Sequence, residues 1–265
     1  MKRSIIKMQN VKYKNIFTDL DMEINRGDFV TIIGKNGSGK TTIFKILLGL
    51  LPFDGYVNVD GYLLNGFFMQ KIRRTLGLAS LNTCNYLLGE TLKDNLMLTL
   101  ENLGYNPREI DNKINDISKK FKLDDIIDSD INSISSSNKS KFLIASSLIH
   151  NPKIILLDNI TSNLDSTNKN LVLKVLKEYQ KKDNLTILLI TNDLEETLLS
   201  DKILLLNNGK VLLEGTKEEI YKDDKLEKMG FNLPFIVKLC HNLMLYNIID
   251  KVYFNDKEVI DKLWP

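Results

Sequence analysis

The side chains with the clearest chemical role lie in one short segment, Gly34-Lys35-Asn36-Gly37-Ser38-Gly39-Lys40-Thr41-Thr42. It matches the pattern G-x-x-x-x-G-K-[ST], in which backbone amide groups surround a polyphosphate. We expect Lys40 to reach the β- and γ-phosphates and the Thr41 hydroxyl to ligate Mg²⁺. This segment, called the phosphate loop below, therefore predicts nucleotide binding. The loop residues expected to contact the nucleotide are Gly34, Asn36, Gly37, Ser38, Gly39, Lys40, Thr41 and Thr42.

The residues on either side of the phosphate loop predict the elements that hold it. Residues 28–33 are apolar enough for a short buried strand, and residues 43–48 continue as an apolar helix that ends at Gly49. The N-terminus of that helix adds a dipole that favours an anion. A glycine-rich turn without a ligand is the alternative, but the flanking strand and helix favour phosphate binding.

A second candidate for the site is a carboxylate at the end of an apolar run. Residues 153–158, Lys-Ile-Ile-Leu-Leu-Asp, predict a central buried strand with Asp158 at its tip. Nucleotide-hydrolysing enzymes with a phosphate loop use such an aspartate beside Mg²⁺. An acidic residue at a strand end is common by chance, so the signal gains its strength from the loop. We predict that Thr41 and Asp158 are the metal ligands.

The rest of the chain predicts a sheet covered by helices, which is an α/β fold. The alternating residues 55–61 close in an Asp-Gly turn, and Asn106-Pro107 marks the start of a helix. The expected elements are antiparallel strands at 4–8 and 17–24, a strand at 55–61, a polar helical region at about 91–129, helices at 139–150 and 167–182, and strands at 186–190, 202–206 and 210–214.

Composition limits the possible functions only loosely. The 265 residues include 43% hydrophobic residues, enough for a full α/β core, and 36 basic against 34 acidic residues give a net charge of +2. This balance argues against a nucleic-acid partner. The longest apolar runs are strand-sized, and no signal peptide is evident, so any membrane role is expected to come through a partner. Cys84 and Cys240 are far apart and lack metal-ligand spacing, which favours a reduced, cytoplasmic setting. We expect His150 and His241 to be capping or surface groups.

The order of the motifs resembles that of ATP-binding cassette (ABC) ATPases over nearly the whole chain. A Ser-rich turn before a helix, the strand ending at Asp158, and the segments 161–165 (TSNLD) and 190–194 (ITNDL) follow the phosphate loop. Residues 87–102 and the tail at 229–264 are more narrowly similar to ATPase subunits of energy-coupling factor (ECF) transporters. For the tail, an amphipathic segment that packs only on its own domain is the alternative.

The resemblance implies a P-loop NTPase ABC nucleotide-binding domain, with a RecA-like core sheet, an antiparallel β subdomain and an inserted helical subdomain. It implies that this domain spans residues 1–225, with the helical subdomain at about 82–150, and that 226–265 form a small C-terminal ECF-type extension. It also implies ATP and Mg²⁺ as cofactors. The implied partners are a second ABC ATPase subunit in a heterodimer, a membrane T subunit and a substrate-binding S subunit, with the chain peripheral at the cytoplasmic face of the cell membrane.

Three positions depart from the family pattern, and all three concern hydrolysis. The family's catalytic Glu is Asn159 here, its switch His is Asn192, and its Gln is Leu81. An amide cannot accept a proton from water, and general-base catalysis is worth about 10²- to 10⁴-fold. The binding residues are retained, and Tyr13 is placed to stack on adenine, although it could be an ordinary edge-strand aromatic. Slow hydrolysis at this site is therefore predicted.

The Ser-rich turn also departs from the family. Where the family has L-S-G-G-Q, this chain has Ile134-Ser135-Ser136-Ser137-Asn138, without either glycine. The resemblance implies that Ser135 and Ser137 face the nucleotide of the partner cassette, and the added side chains are expected to loosen that contact. A plain helix cap at Ser135 is the alternative. Asp165 matches an interface aspartate of the family, or it caps a helix.

The resemblance thus implies the ATP-binding subunit of an ECF-type importer for a small molecule such as a vitamin or metal ion. The complex would be an ABC-type ATPase, with low hydrolysis at this chain's own site. Two alternatives stay open: a regulatory or structural cassette that contributes to turnover at neither site, and a soluble ABC protein outside transport. The bias toward Asn, Lys and Ile also leaves drift in an AT-rich genome as an origin of the altered motifs.

Overall fold

A computed structural model describes residues 3–81 and 87–264 of the chain. Cys84 and the expected start of the helical subdomain near residue 82 lie outside these residues. The strands are β1 (Ser4–Tyr13), β2 (Phe17–Asn25), β3 (Phe29–Ile33), β4 (Asp54–Val59), β5 (Tyr62–Leu63), β6 (Leu76–Ser80), β7 (Ile154–Asp158), β8 (Thr186–Ile190), β9 (Lys202–Asn207) and β10 (Lys210–Gly215). The helices are α1 (Lys40–Leu47), α2 (Met69–Thr75), α3 (Leu92–Asn102), α4 (Pro107–Phe121), α5 (Ser136–Leu148), α6 (Ser166–Asp183), α7 (Lys217–Ile220), α8 (Lys225–Lys228), α9 (Phe235–Leu245) and α10 (Asp256–Leu263).

The central sheet positions the site. Within the described residues it has six strands in the order β10-β9-β3-β8-β7-β6, and all neighbours are parallel except β10, which runs antiparallel to β9. Strands β3 and β8 are buried along their whole length, because helices and the second sheet cover both faces. In the register, Asp158 lies opposite Ser80 on one side and Ile190 on the other. The carboxyl ends of β6, β7 and β8 therefore meet at one edge.

A second, antiparallel sheet packs near the phosphate loop. Its order is β2-β1-β4-β5 in the described part of the chain. The expected antiparallel pairing of the first two strands is confirmed, although β1 continues to Tyr13, five residues beyond the predicted end at Met8. The buried face of this antiparallel sheet contacts Ile43 and Phe44 of α1. This contact fixes the helix that begins at Lys40.

The polar helical region resolves into α3 and α4; α3 packs on α4, and α4 packs on α5. Helix α4 begins where the sequence predicts, because the Asn106 side chain accepts a hydrogen bond from the Glu109 amide and Pro107 occupies the first turn. Its buried apolar side chains recur at helical spacing. Those residues are Ile110, Ile114, Ile117 and Phe121.

The C-terminal segment packs on the central sheet beneath the site. Leu226, Leu233 and Val237 share one buried cluster with Ile33, which precedes the phosphate loop, and with Leu194. Other apolar side chains of the segment face outward, and these are Phe235, Leu245, Tyr246, Ile248, Ile260 and Trp264. Across residues 3–81 and 87–264, no helix combines the length and the apolar character that crossing a membrane requires.

Candidate functional site

The phosphate loop connects β3 to α1, as predicted. Gly39 is the N-cap of α1 and has φ +101°, a conformation that side chains disfavour. A Cβ atom at Gly39 would lie 2.6 Å from the ring of Phe17 and 3.0 Å from Ile16. The loop can therefore follow this path only with glycine at its last turn before the helix.

Lys40 and Ser38 give the interior of the loop its polar character. The Lys40 ammonium is buried and donates to the carbonyl oxygens of Gly34 at 2.6 Å and Lys35 at 3.1 Å. Burial lowers the pKa of Lys40, and the Asp158 carboxylate partly opposes this shift. The Ser38 hydroxyl is buried without a hydrogen-bond partner among the described residues. A buried cation and a buried hydroxyl at the N-terminus of a helix fit a polyphosphate.

Thr41 and Asp158 supply oxygen ligands at the adjacent strand end. The Thr41 hydroxyl donates to the Asp158 carboxylate at 3.2 Å. Burial raises the pKa of Asp158, and the hydrogen bond from Thr41 and the charge of Lys40 oppose that shift. Hydroxyl and carboxylate oxygens are ligands that Mg²⁺ prefers beside phosphates. No cluster of three or more His, Cys, Asp or Glu side chains that could hold a metal occurs in residues 3–81 and 87–264.

The three altered positions follow three neighbouring strands. Leu81 follows β6, Asn159 follows β7, and Asn192 follows β8 by two residues. Asn159 has φ +50° and ψ +20°, its backbone amide donates to the Ile190 carbonyl at 3.0 Å, and its side-chain amide lies 3.5 Å from the Asp158 carboxylate. Leu81 instead packs against the buried core.

Asn192 lies beside the first residues of the phosphate loop. Its side chain is exposed and lines a cavity of 290 Å³ together with Gly34 and Asn36. Tyr13 is half-buried at the end of β1 and pairs with Phe17, whose ring faces Gly39. The sheet thus brings the candidate base-stacking residue to the beginning of α1 and Asn192 to the other end of the loop.

The Ser-rich turn is a helix cap joined to the next helix. The Ser135 hydroxyl accepts from the Asn138 amide at 3.2 Å and caps α5. Ser137 donates to the Asp165 carboxylate at 2.7 Å, and Asp165 in turn caps α6 through the Asn168 amide at 2.8 Å. Bonds from Asn168 and Ser137 lower the pKa of Asp165 to about 2. In the described part of the chain, none of these hydrogen bonds reaches the phosphate loop.

Sequence reasoning missed a buried ionic network behind Asn192. Glu196 is only 1% exposed, accepts from the Thr161 hydroxyl at 3.0 Å and pairs with Lys169 at 2.7 Å. Lys169 also pairs with Asp193 at 2.6 Å. Burial disfavours the charged ammonium, but the two carboxylates outweigh it and raise the pKa of Lys169. The partners are far apart in sequence, so no local pattern could have identified the network.

The histidines take no part in the site. His150 is not a surface or capping group, because it is half-buried and its Nε2 pairs with the Leu76 carbonyl at 3.2 Å. Burial lowers the pKa of His150, so the neutral ring donates to this carbonyl. The ring of His241 pairs with the Tyr221 carbonyl at 2.9 Å. Neither contact involves the phosphate loop.

Comparisons with known proteins agree with this geometry. A family profile described as ABC transporter matches residues 17–162. The energy-coupling factor transporter ATP-binding protein EcfA1 of Geobacillus kaustophilus (strain HTA426) is 35% identical, over 90% of this chain and 87% of that protein. The energy-coupling factor transporter ATP-binding protein EcfA of Malacoplasma penetrans (strain HF-2) is 31% identical, over 97% of this chain and 92% of that protein.

Solved structures give the same picture of the fold. The structure of cbiO1 from Clostridium perfringens, part of the ABC transporter complex cbiONQ, has a TM-score of 0.77 and 25% identity, and covers 91% of this chain and 100% of that chain. The dimeric bacterial ABC transporter cassette MJ0796 has a TM-score of 0.72 and 26% identity, and covers 80% of this chain and 98% of that chain.

Proposed function

The chain belongs to the ABC transporter family as an ATP-binding protein of the energy-coupling factor type, and we propose that it binds Mg-ATP but hydrolyses it slowly at its own site. One observation carries the proposal. The phosphate-binding groups of the loop are complete and joined to Asp158 through the 3.2 Å hydrogen bond from Thr41, whereas amides occupy the positions of the hydrolytic base and the switch histidine.

On the binding side, each residue has a definite task. Lys40 exchanges its two carbonyl contacts for phosphate oxygens, and the Ser38 hydroxyl donates to the same anion. Thr41 and Asp158 would hold Mg²⁺, which supplies positive charge to the phosphates when bound. A cation there also favours the ionised form of Asp158, which burial alone disfavours. Tyr13 offers a ring for the adenine base.

On the hydrolytic side, the side chains lack the needed chemistry. Asn159 can orient a water molecule but cannot take its proton, since an amide has no basic lone pair at neutral pH. Asn192 stays neutral, and Leu81 has no side-chain oxygen. The loss of general-base catalysis alone costs about 10²- to 10⁴-fold in turnover. The site therefore favours a long-lived ATP-bound state.

The proposed domain division and subunit assembly rest on the family and not on contacts within this chain. We propose a nucleotide-binding domain at 1–225, with a helical subdomain at about 82–150, and an ECF-type extension at 226–265. The names of the relatives and the cbiONQ complex of the structural neighbour support pairing with a second ATPase subunit in a heterodimer. The proposed assembly further includes T and S membrane subunits, a peripheral place at the cytoplasmic face of the membrane, and uptake of a small molecule.

In the proposed pair, most hydrolysis occurs at the site formed by the partner's phosphate loop and this chain's Ser-rich turn. Ser135 presents the N-terminus of α5, whose dipole favours an anion. The Ser137 hydroxyl already donates to Asp165, so it is less available to a phosphate. ATP at this chain's own loop then serves to hold the two cassettes together.

A substitution of Lys40 tests the ATP-binding role. Lys40→Ala removes charged hydrogen bonds worth about 1.5–3 kcal/mol each, so ATP affinity should fall at least about tenfold. ATP-dependent pairing with the second ATPase and uptake by the complete transporter should fall with it. Lys210→Ala, an exposed lysine on the edge strand β10, is the matched control and should change neither. Unchanged pairing and uptake in Lys40→Ala would disprove the role.

A regulatory cassette is the second candidate, because three hydrolytic groups are altered together and Ser137 is engaged with Asp165. Such a chain would bind ATP and contribute to turnover at neither site. The two candidates differ in one measurement. Adding this chain to its partner should stimulate ATP hydrolysis under the main proposal and leave it unchanged under the alternative.

A further inference from the structure

The cavity beside the phosphate loop has a third wall that belongs to the C-terminal extension. Residues 34–36 of the loop form the first wall, and Thr191 and Asn192 form the second. The third wall is a turn at residues 230–232, Gly-Phe-Asn, which we call the extension turn. The cavity volume of 290 Å³ leaves room for a phosphate group with its hydration water.

The extension turn is held firmly in place. The Gly230 amide donates to the Glu227 carbonyl at 2.8 Å, and the Phe231 amide donates to the Leu226 carbonyl at 3.0 Å. Leu226 and Leu233, on either side of the turn, are buried in the cluster that contains Ile33. The turn is therefore anchored to the strand that leads directly into the phosphate loop.

A second anchor ties the extension to the chain that follows Asn192. The Phe235 amide donates to the Glu195 carboxylate at 2.7 Å. Leu194, between Asn192 and Glu195, lies in the same buried cluster as Leu233. Both other walls of the cavity thus connect to the extension through buried contacts.

The side chains at the cavity give it a preference for phosphate. Asn36, Asn192 and Asn232 each carry an amide that can donate hydrogen bonds, and all three are exposed. Lys35 adds a positive charge at the rim, and none of the described residues that line this cavity carries a carboxylate. Three neutral amide donors and one lysine suit a phosphate group that the phosphate loop also binds.

We propose that the extension turn completes the ATP site on the side of the terminal phosphate, with Asn232 as a binding residue that distinguishes ATP from ADP. The inference rests on the proposed function, since it takes the phosphate loop to hold ATP and Asn192 to lie at the γ-phosphate. Because the turn is part of the extension, the C-terminal segment is coupled directly to the nucleotide state of this site.

The test measures dissociation constants of the full chain for a non-hydrolysable ATP analogue and for ADP, with Mg²⁺ and at a concentration where the chain is monomeric. Asn232→Ala should weaken the ATP analogue about tenfold, as loss of one charge-assisted hydrogen bond requires, and leave ADP unchanged. Asn232→Asp should weaken the analogue further, because a carboxylate repels the phosphate. Asn242→Ala, an exposed amide on α9 away from the cavity, is the matched control and should change neither constant.

Two results would overturn the inference while leaving the proposed function intact. One is equal weakening of both nucleotides by Asn232→Ala, which would indicate a general change in the loop. The other is wild-type affinity for both, which would leave the cavity to a different occupant such as the partner cassette. If the wild-type chain binds neither nucleotide, the proposed function fails and the inference fails with it.

Discussion

The strongest prediction concerns restoration of the missing base by Asn159→Glu, with Asn159→Gln as its control. Position 159 has φ +50° and ψ +20° in the left-handed region, which Asn tolerates better than longer side chains. Glu and Gln should each lose about 1 kcal/mol of stability for this reason. In a chain of this size that loss lowers the melting temperature by about 2–4 °C. The two variants share this cost, since they differ only in the charge and basicity of one group.

The charge of the new carboxylate has a separate effect on stability. Asn159 now places its side-chain amide 3.5 Å from the Asp158 carboxylate, which is a favourable contact. A Glu at this position brings a second negative charge beside a carboxyl whose pKa is already raised by burial. Without metal, Asn159→Glu should therefore melt below Asn159→Gln, and Mg²⁺ should narrow the gap. Calorimetry with and without Mg²⁺ measures both effects.

Turnover is the decisive readout. In a pair whose partner has an inactivated phosphate loop, Asn159→Glu should raise ATP hydrolysis by up to about 10²- to 10⁴-fold over Asn159→Gln. Asn192→His added to Asn159→Glu should raise it further, because an imidazole can contact the terminal phosphate. Equal turnover in the Glu and Gln variants, in the presence of measured ATP binding, would refute the reasoning that the missing base limits hydrolysis.

Three further outcomes follow from single contacts. Gly39→Ala should weaken ATP binding and lower stability by more than Gly104→Ala does. Both positions have positive φ, but only at Gly39 would a Cβ atom lie 2.6 Å from the Phe17 ring. Thermal unfolding and an ATP titration compare the two variants, and equal effects would contradict the packing argument. Hydrogen bonds lower the pKa of the Asp165 carboxyl to about 2, so this group stabilises the wild type above pH 3.8 and the stabilisation is lost as pH falls toward about 2. Asp165→Asn should remove this contribution. Urea unfolding across that pH range should therefore show a flatter pH dependence of stability in the variant. His150→Gln should lessen the loss of stability as pH falls below 6.5, where the unfolded chain binds a proton that the buried ring resists; identical pH profiles of variant and wild type would show that folding does not lower the pKa of this ring.

Much of the site could be predicted from the sequence, because its central parts are encoded by neighbouring residues. The run of residues 28–42 predicts a buried strand, a glycine-rich turn and a helix, and the structure has β3, the loop and α1 there. Asp158 ends a strand because a run of apolar residues directly precedes it in the sequence. Asn106-Pro107 begins a helix because a cap and its partner lie three residues apart. Periodicity, caps and turns depend on hydrogen bonds between near neighbours.

The tertiary structure decided which distant groups meet. Ser137 contacts Asp165, Glu196 contacts Lys169, and Asn232 lines the same cavity as Asn192. These pairs are separated by tens of residues, and each side chain has many possible partners of suitable charge. The sheet order and the packing of the C-terminal extension on Ile33 select among them. The sequence alone therefore determined that the chain carries a phosphate loop, and it predicted slow hydrolysis from Leu81, Asn159 and Asn192. Only the packed chain determined what surrounds that loop, because long-range contacts depend on the whole fold being in place.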